Sequence, residues 1–195
     1  MSKFSKIFLI VGSLFVVFIV IPFASVIGLW YSDSVFGNRY ETQIHTMYMD
    51  GKNIHGQFIG KMMDLANVRK MSIADQTSII QAVFGKGGRA GNQAAWQWVK
   101  EQNPKADLTV HNKMVDIIDS MRNKFMHHQT SLLAVCQVYQ ERLGHPIHSV
   151  FLSFSGYPNK RLSEYKLTIE KMCTPISSTQ TNQAFDAGVD DGVKF

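Results

Sequence analysis

The sequence predicts an all-α protein with an N-terminal transmembrane helix continuing into an elongated antiparallel helical hairpin or bundle, then a disordered C-terminal tail. Three observations carry this. No charged residue occurs between Lys6 and Asp33. Apolar residues recur at helical spacing through two long segments further on. Strand signals are nearly absent. The bulk composition agrees: 195 residues, 45% hydrophobic, 18% charged, with five Pro and two Cys. Such a chain is neither wholly disordered, collagen-like nor a disulfide scaffold, and its length suits one domain.

After a short basic stretch at 1–6, residues 7–31 read IFLIVGSLFVVFIVIPFASVIGLWY. As a helix this run is roughly 37 Å long, against a hydrocarbon core of about 30 Å. Trp30 and Tyr31 close it where an interfacial aromatic belt lies, and Pro22 is tolerated in a membrane span. A cleaved secretory signal competes, with Lys3 and Lys6 as its basic region. The run is too long for that, and Phe23-Ala24-Ser25 and Val26-Ile27-Gly28 are poor cleavage sites. An uncleaved signal-anchor is therefore expected. Lys3, Lys6 and the amino terminus face Asp33, Arg39, Glu41 and Asp50 on the other flank. The positive-inside rule then places the N-terminus in the cytoplasm and the body outside, in a bacterial inner membrane.

The body is expected at 32–172, with long helices at about 34–84 and 107–143 and short ones at about 92–103 and 162–172. In the second long helix Val110, Met114, Ile117, Met121, Phe125, Leu132, Val135, Tyr139 and Leu143 form one stripe, with His128 filling its gap. A helix of that length needs a partner of similar length, as in a coiled coil. Ile44, Met47, Tyr48, Ile54, Phe58, Met62, Leu65, Val68 and Met71 supply its stripe. Ser72 and Asp75 mark a restart in the manner of a capping box, and Ile79, Ile80, Val83 and Phe84 continue the stripe. The glycine-rich GKGGRAG at 85–91 reads as a flexible connector. Asn92 reads as an N-cap, Pro104 as a stop, and Gly144 with Pro146 as the end of the second long helix. Ser149 to Ser155, SVFLSFS, is the nearest approach to a strand. Residues 173–195, rich in Ser, Thr, Asn, Asp and Gly without a stripe, read as a flexible tail.

This layout resembles the LemA family of bacterial membrane proteins over roughly residues 5–160. Glu101-Gln102-Asn103-Pro104 before a long helix, then Arg122, Phe125, Gln129, Leu132, Leu133 and Tyr139, and later Tyr157-Pro158, are similar to that family's later helices. The first helix, with Phe58-Ile59-Gly60-Lys61-Met62-Met63, departs from the pattern, so a divergent or phage-encoded relative is implied. The resemblance implies a membrane-anchored helical bundle and brings no catalytic residue.

Candidate chemistry is sparse. His127 and His128 point about 100° apart on a helix and cannot share an ion. His45 and His55 are almost three turns apart. His145 and His148 could converge in a loop, without the carboxylate-histidine pattern of a catalytic zinc helix. The 85–91 loop lacks the spacing and the strand of a phosphate-binding loop. Two cysteines without a local motif read as independent, Cys136 as a small core residue; a Cys136–Cys173 bridge is possible only outside the cytoplasm. The net charge of +5 is scattered, with Arg69-Lys70 and Lys160-Arg161 as doublets, unlike a nucleic-acid surface. We expect no enzyme activity, no catalytic, cofactor or metal residues, no cofactor, no nucleic acid and no small-molecule substrate. The expected partners are the membrane, a second copy or another envelope protein, met through Met-rich apolar faces. A small phage-type lysis or envelope-modifying effector, holin- or antiholin-like, is the alternative. A membrane-tethered metalloenzyme using His145 and His148 is a third.

Overall fold

A computed structural model describes residues 12–13, 15–86 and 88–175. The start of the anchor at 7–11 and the tail from 176 onward lie outside the described residues. Every described element is helical. A π-helical turn at Val16–Val20 leads into α1 (Ile21–Ala66), followed by α2 (Ile73–Ile80) and a π-helical segment (Gln81–Lys86). Then come α3 (Gly88–Gln102), α4 (Leu108–Gly144), α5 (Pro146–Phe154), a 3-10 turn (Leu162–Tyr165) and α6 (Ile169–Met172).

The N-terminal part of α1 is long and apolar enough to cross a membrane. From Phe15, through the π-helical turn, to Ser32 in α1 the side chains are exposed, Phe18 at 71% and Phe23 at 67%. Beyond it the chain divides into two compact units: residues up to His45 with Ala134–Met172, and Thr46–Leu133 with the described residues from Cys173 on.

In the Thr46–Leu133 unit, the stripe residues Ile54, Phe58 and Met62 of α1 and Met114, Met121 and Phe125 of α4 join one core. Ile79, Val83, Ala95, Trp98 and Val99 complete it. Polar contacts hold the same two stretches together. Lys124 Nζ donates to Gln57 Oε1 at 3.0 Å, and the His128 ring nitrogen lies 2.7 Å from the Met47 carbonyl oxygen. His128, which fills the gap in the stripe, thus supplies a backbone partner where an apolar residue would have supplied none.

Several sequence expectations are corrected here. Helix 34–84 is interrupted after Ala66: Asn67 takes a left-handed φ of 56° and Val68 N–H reaches the Met63 carbonyl at 3.0 Å, a Schellman closure. The restart is as read, with Ser72 accepting from the Asp75 amide at 3.1 Å. The described residues 85–86 and 88–91 are helical rather than a flexible connector, and Asn92 lies inside α3 instead of capping it. Gly91 has a steric reason to be glycine: a Cβ there would overlap the Ala82 carbonyl oxygen, so α3 sits directly on the preceding turn. Arg122 Nε then donates to the Val83 carbonyl at 2.8 Å. Asp107 caps α4 through the Val110 amide at 3.1 Å.

The SVFLSFS segment is helix, not strand. Pro146 at the first turn of α5 favours this, and the outward Ile147, Val150 and Phe154 follow helical spacing while Leu152 is buried. Gly156, with φ 87°, closes it through Tyr157 N–H to the Leu152 carbonyl at 3.0 Å. The single helix expected at 162–172 is instead the 3-10 turn, a left-handed Lys166 and the one-turn α6.

Candidate functional site

The unit built from α1 up to His45 and Ala134–Met172 contains two fully buried carboxylates, Asp33 and Glu41. They stand where the stripe of α1 continues toward the anchor: Asp33, Gly37, Glu41 and Ile44 are all buried, at helical spacing. A buried charge persists only when its acceptors are filled, and here they are.

Asp33 Oδ1 accepts from Arg142 Nε at 3.0 Å and Nη2 at 2.8 Å, and Oδ2 lies 2.9 Å from His148 Nδ1. Because a carboxylate only accepts, Nδ1 of His148 carries the proton. The Arg142 guanidinium also lies over the Phe36 ring, 5.0 Å from its centroid. One turn on, the Tyr157 ring occupies the space beside Gly37; a Cβ there would come within 2.7 Å of it.

Glu41 gathers three donors. Tyr139 O–H donates to Oε1 at 2.9 Å, the Asn159 amide donates to the same oxygen, and the Arg161 amide donates to Oε2 at 2.8 Å. Asn159 can point its N–H inward because it takes a left-handed φ of 74°, which asparagine tolerates better than most residues. Its side-chain oxygen accepts from the Ile169 amide at 2.7 Å. One carboxylate therefore organises the segment 157–169. Burial above all, then the Glu41 charge and hydrogen bond, pushes the Tyr139 phenol well above its ordinary range. Burial and the Glu41 charge raise Tyr157 too, with Arg161 opposing. The arrangement is a clamp: polar groups face one another, fastening 145–169 to α1 just beyond the apolar run.

The histidines fall as follows. His145 and His148 do converge, with ring centroids 4.7 Å apart, but His148 Nδ1 is engaged by Asp33. Among the described residues no three His, Cys, Asp or Glu are placed to hold a metal. His45 stacks on Tyr165 at 4.1 Å, whereas His55 lies between Phe84 and Phe125, each 4.7 Å away, and burial lowers its pKa. Lys160 donates to the Ser155 carbonyl at 2.8 Å, and Arg161 makes an exposed ion pair with Glu164 at 4.0 Å. Both cysteines, expected to be independent, are disulfide-bonded. An open hollow of about 350 Å³ is lined by Trp96, Lys100, Ala106, Asp107, Leu108 and His111. Lys100 there already donates to the Ala106 carbonyl at 2.6 Å.

Sequence reading missed the clamp. The signal was present as two acids on the apolar stripe of α1, positions that demand buried donors. Comparison with known proteins adds no relative: no family model, curated protein or solved structure matches the chain.

Proposed function

We propose that this chain is a single-pass signal-anchor protein of a bacterial inner membrane, presenting a LemA-like helical bundle as a non-enzymatic interaction scaffold. Its N-terminus lies in the cytoplasm and its body outside. The observation that carries this reading is the exposed apolar stretch leading through α1 directly into a clamp of buried carboxylates. An apolar surface of that length has no role in water. The clamp stiffens the chain where it leaves the bilayer, as a presented scaffold requires. Its polar groups are consumed by one another, which favours a structural role over a catalytic one.

The disulfide supports an oxidising compartment for the body. The order of contacts supports the antiparallel hairpin within each unit: Asp33 with Arg142 and Glu41 with Tyr139, then Met47 with His128 and Gln57 with Lys124. The LemA resemblance rests on Arg122, Phe125 and Tyr139 among others, residues with packing or bonding roles here.

The test is expression of the full chain in a bacterium, followed by alkaline carbonate extraction and measurement of growth and membrane potential. The chain is expected in the membrane pellet, with growth and potential unchanged. Release into the supernatant contradicts the anchor. Depolarisation or growth arrest contradicts the scaffold and favours a holin-like effector.

A further inference from the structure

A nine-residue helix with an exposed apolar face stands beside the end of the anchor. In α5, Ile147, Val150 and Phe154 are 55%, 50% and 80% exposed, and their spacing puts them on one face. The opposite side holds buried Leu152 and His148, which is fastened to Asp33.

That fastening sets the height of α5. Asp33 follows the last residue of the apolar run, Tyr31, by two positions, roughly 3 Å along the helix axis. At the other end of α5, the Tyr157 ring lies against Gly37, roughly 9 Å beyond Tyr31. The headgroup layer of one leaflet is about 5–8 Å thick, so α5 stands within that layer or at its edge. The anchor's own exposed apolar surface reaches the same level through Trp30, Tyr31 and Val35, at 45%, 67% and 46% exposure.

We propose that α5 is a second membrane contact: it lies in the interface of the membrane crossed by 7–31, with Ile147, Val150 and Phe154 inserted among lipid headgroups and the ends of acyl chains. The occupant is lipid rather than a second copy, because three side chains offer on the order of 400 Å², about half of what one partner contributes to a stable protein interface. Short amphipathic helices insert to this depth. Together with the anchor, the inserted face fixes the tilt at which the chain leaves the bilayer. The inference rests on the anchor reading.

The test places a nitroxide, coupled through para-acetylphenylalanine so that the native cysteines are untouched, at Val150 or Phe154 of the full chain. The chain is reconstituted in bilayers of phosphatidylcholine and phosphatidylglycerol. Labels at Phe18 and Lys113 give the lipid and water references. Collision with oxygen relative to a water-soluble nickel chelate is expected to be several-fold higher at 150 and 154 than at 113. Equal ratios at 150, 154 and 113, with 18 still in lipid, overturn the α5 proposal alone. A label at 18 that behaves like 113 overturns the anchor reading and α5 with it. Protection of 150 and 154 from both reagents also overturns the proposal, since protein then covers the face.

Discussion

Replacing Glu41 with Gln removes the charge of the clamp while keeping its volume. The side chain is fully buried and accepts three hydrogen bonds, from Tyr139 O–H and the amides of Asn159 and Arg161. The remaining amide oxygen is best spent on the two donors that share Oε1, which leaves the new NH₂ facing the Arg161 N–H. Two donors then oppose one another in a buried site, costing about 1–3 kcal/mol, and the two surviving bonds lose their charge assistance. The expected total is about 3 kcal/mol, large against a typical stability of about 5–15 kcal/mol. The assay is urea denaturation of the full chain in detergent followed by circular dichroism, combined with hydrogen exchange. The Arg161 amide should lose protection first, then Asn159, while the Thr46–Leu133 core keeps its own. A variant with wild-type stability and protected Asn159 and Arg161 amides would refute the clamp.

Further predictions follow from the same contacts. Gly37→Ala drives a methyl into the Tyr157 ring and should destabilise by about 1–3 kcal/mol, read as a lower melting temperature; an unchanged melt contradicts the packing. Phe125→Asp buries an unpaired charge in the core and should cost on the order of 4 kcal/mol, read as loss of cooperative unfolding. Both cysteines are disulfide-bonded, so reduction should cost about 2–4 kcal/mol, measured by denaturation with and without reductant. Two titrations bound the stable pH range. Tyr139 and Tyr157 are neutral and raised in the fold, so their contribution is complete below the ordinary tyrosine value near 10 and falls as pH climbs above it. His55 is lowered by burial, so its contribution is complete above about 6.5 and falls as pH drops below that value. Stability measured across pH should therefore decline at both ends, and His55→Phe should flatten the acid limb.

The parts of this molecule legible from sequence are those where one periodicity acts alone. Met114, Met121, Phe125, Leu132 and Tyr139 are spaced for one face and all are buried. Where two signals compete, the sequence alone does not decide between them. Val150, Leu152 and Phe154 alternate like a strand, yet Ile147 shares the helical face and Pro146 is preorganised for the first turn. The break at Asn67 hid behind Val68 and Met71, which carry the stripe across it, and asparagine is a quieter left-handed signal than glycine. Glycines at 85–91 suggested freedom, but Gly91 serves close packing. The clamp was opaque for another reason. Its acids lie about a hundred residues from their donors, two of which are backbone amides with no side-chain signature.

An anchor in the membrane is proposed to carry a body on the outer side. The most direct test is a single cysteine at Ser178, with Cys136 and Cys173 replaced by Ser, probed in intact cells with a membrane-impermeant maleimide. Side-specific labelling reports topology even in a variant that has lost the bridge. Labelling before lysis is expected; protection until the cells are opened would place the body in the cytoplasm and overturn the proposed topology.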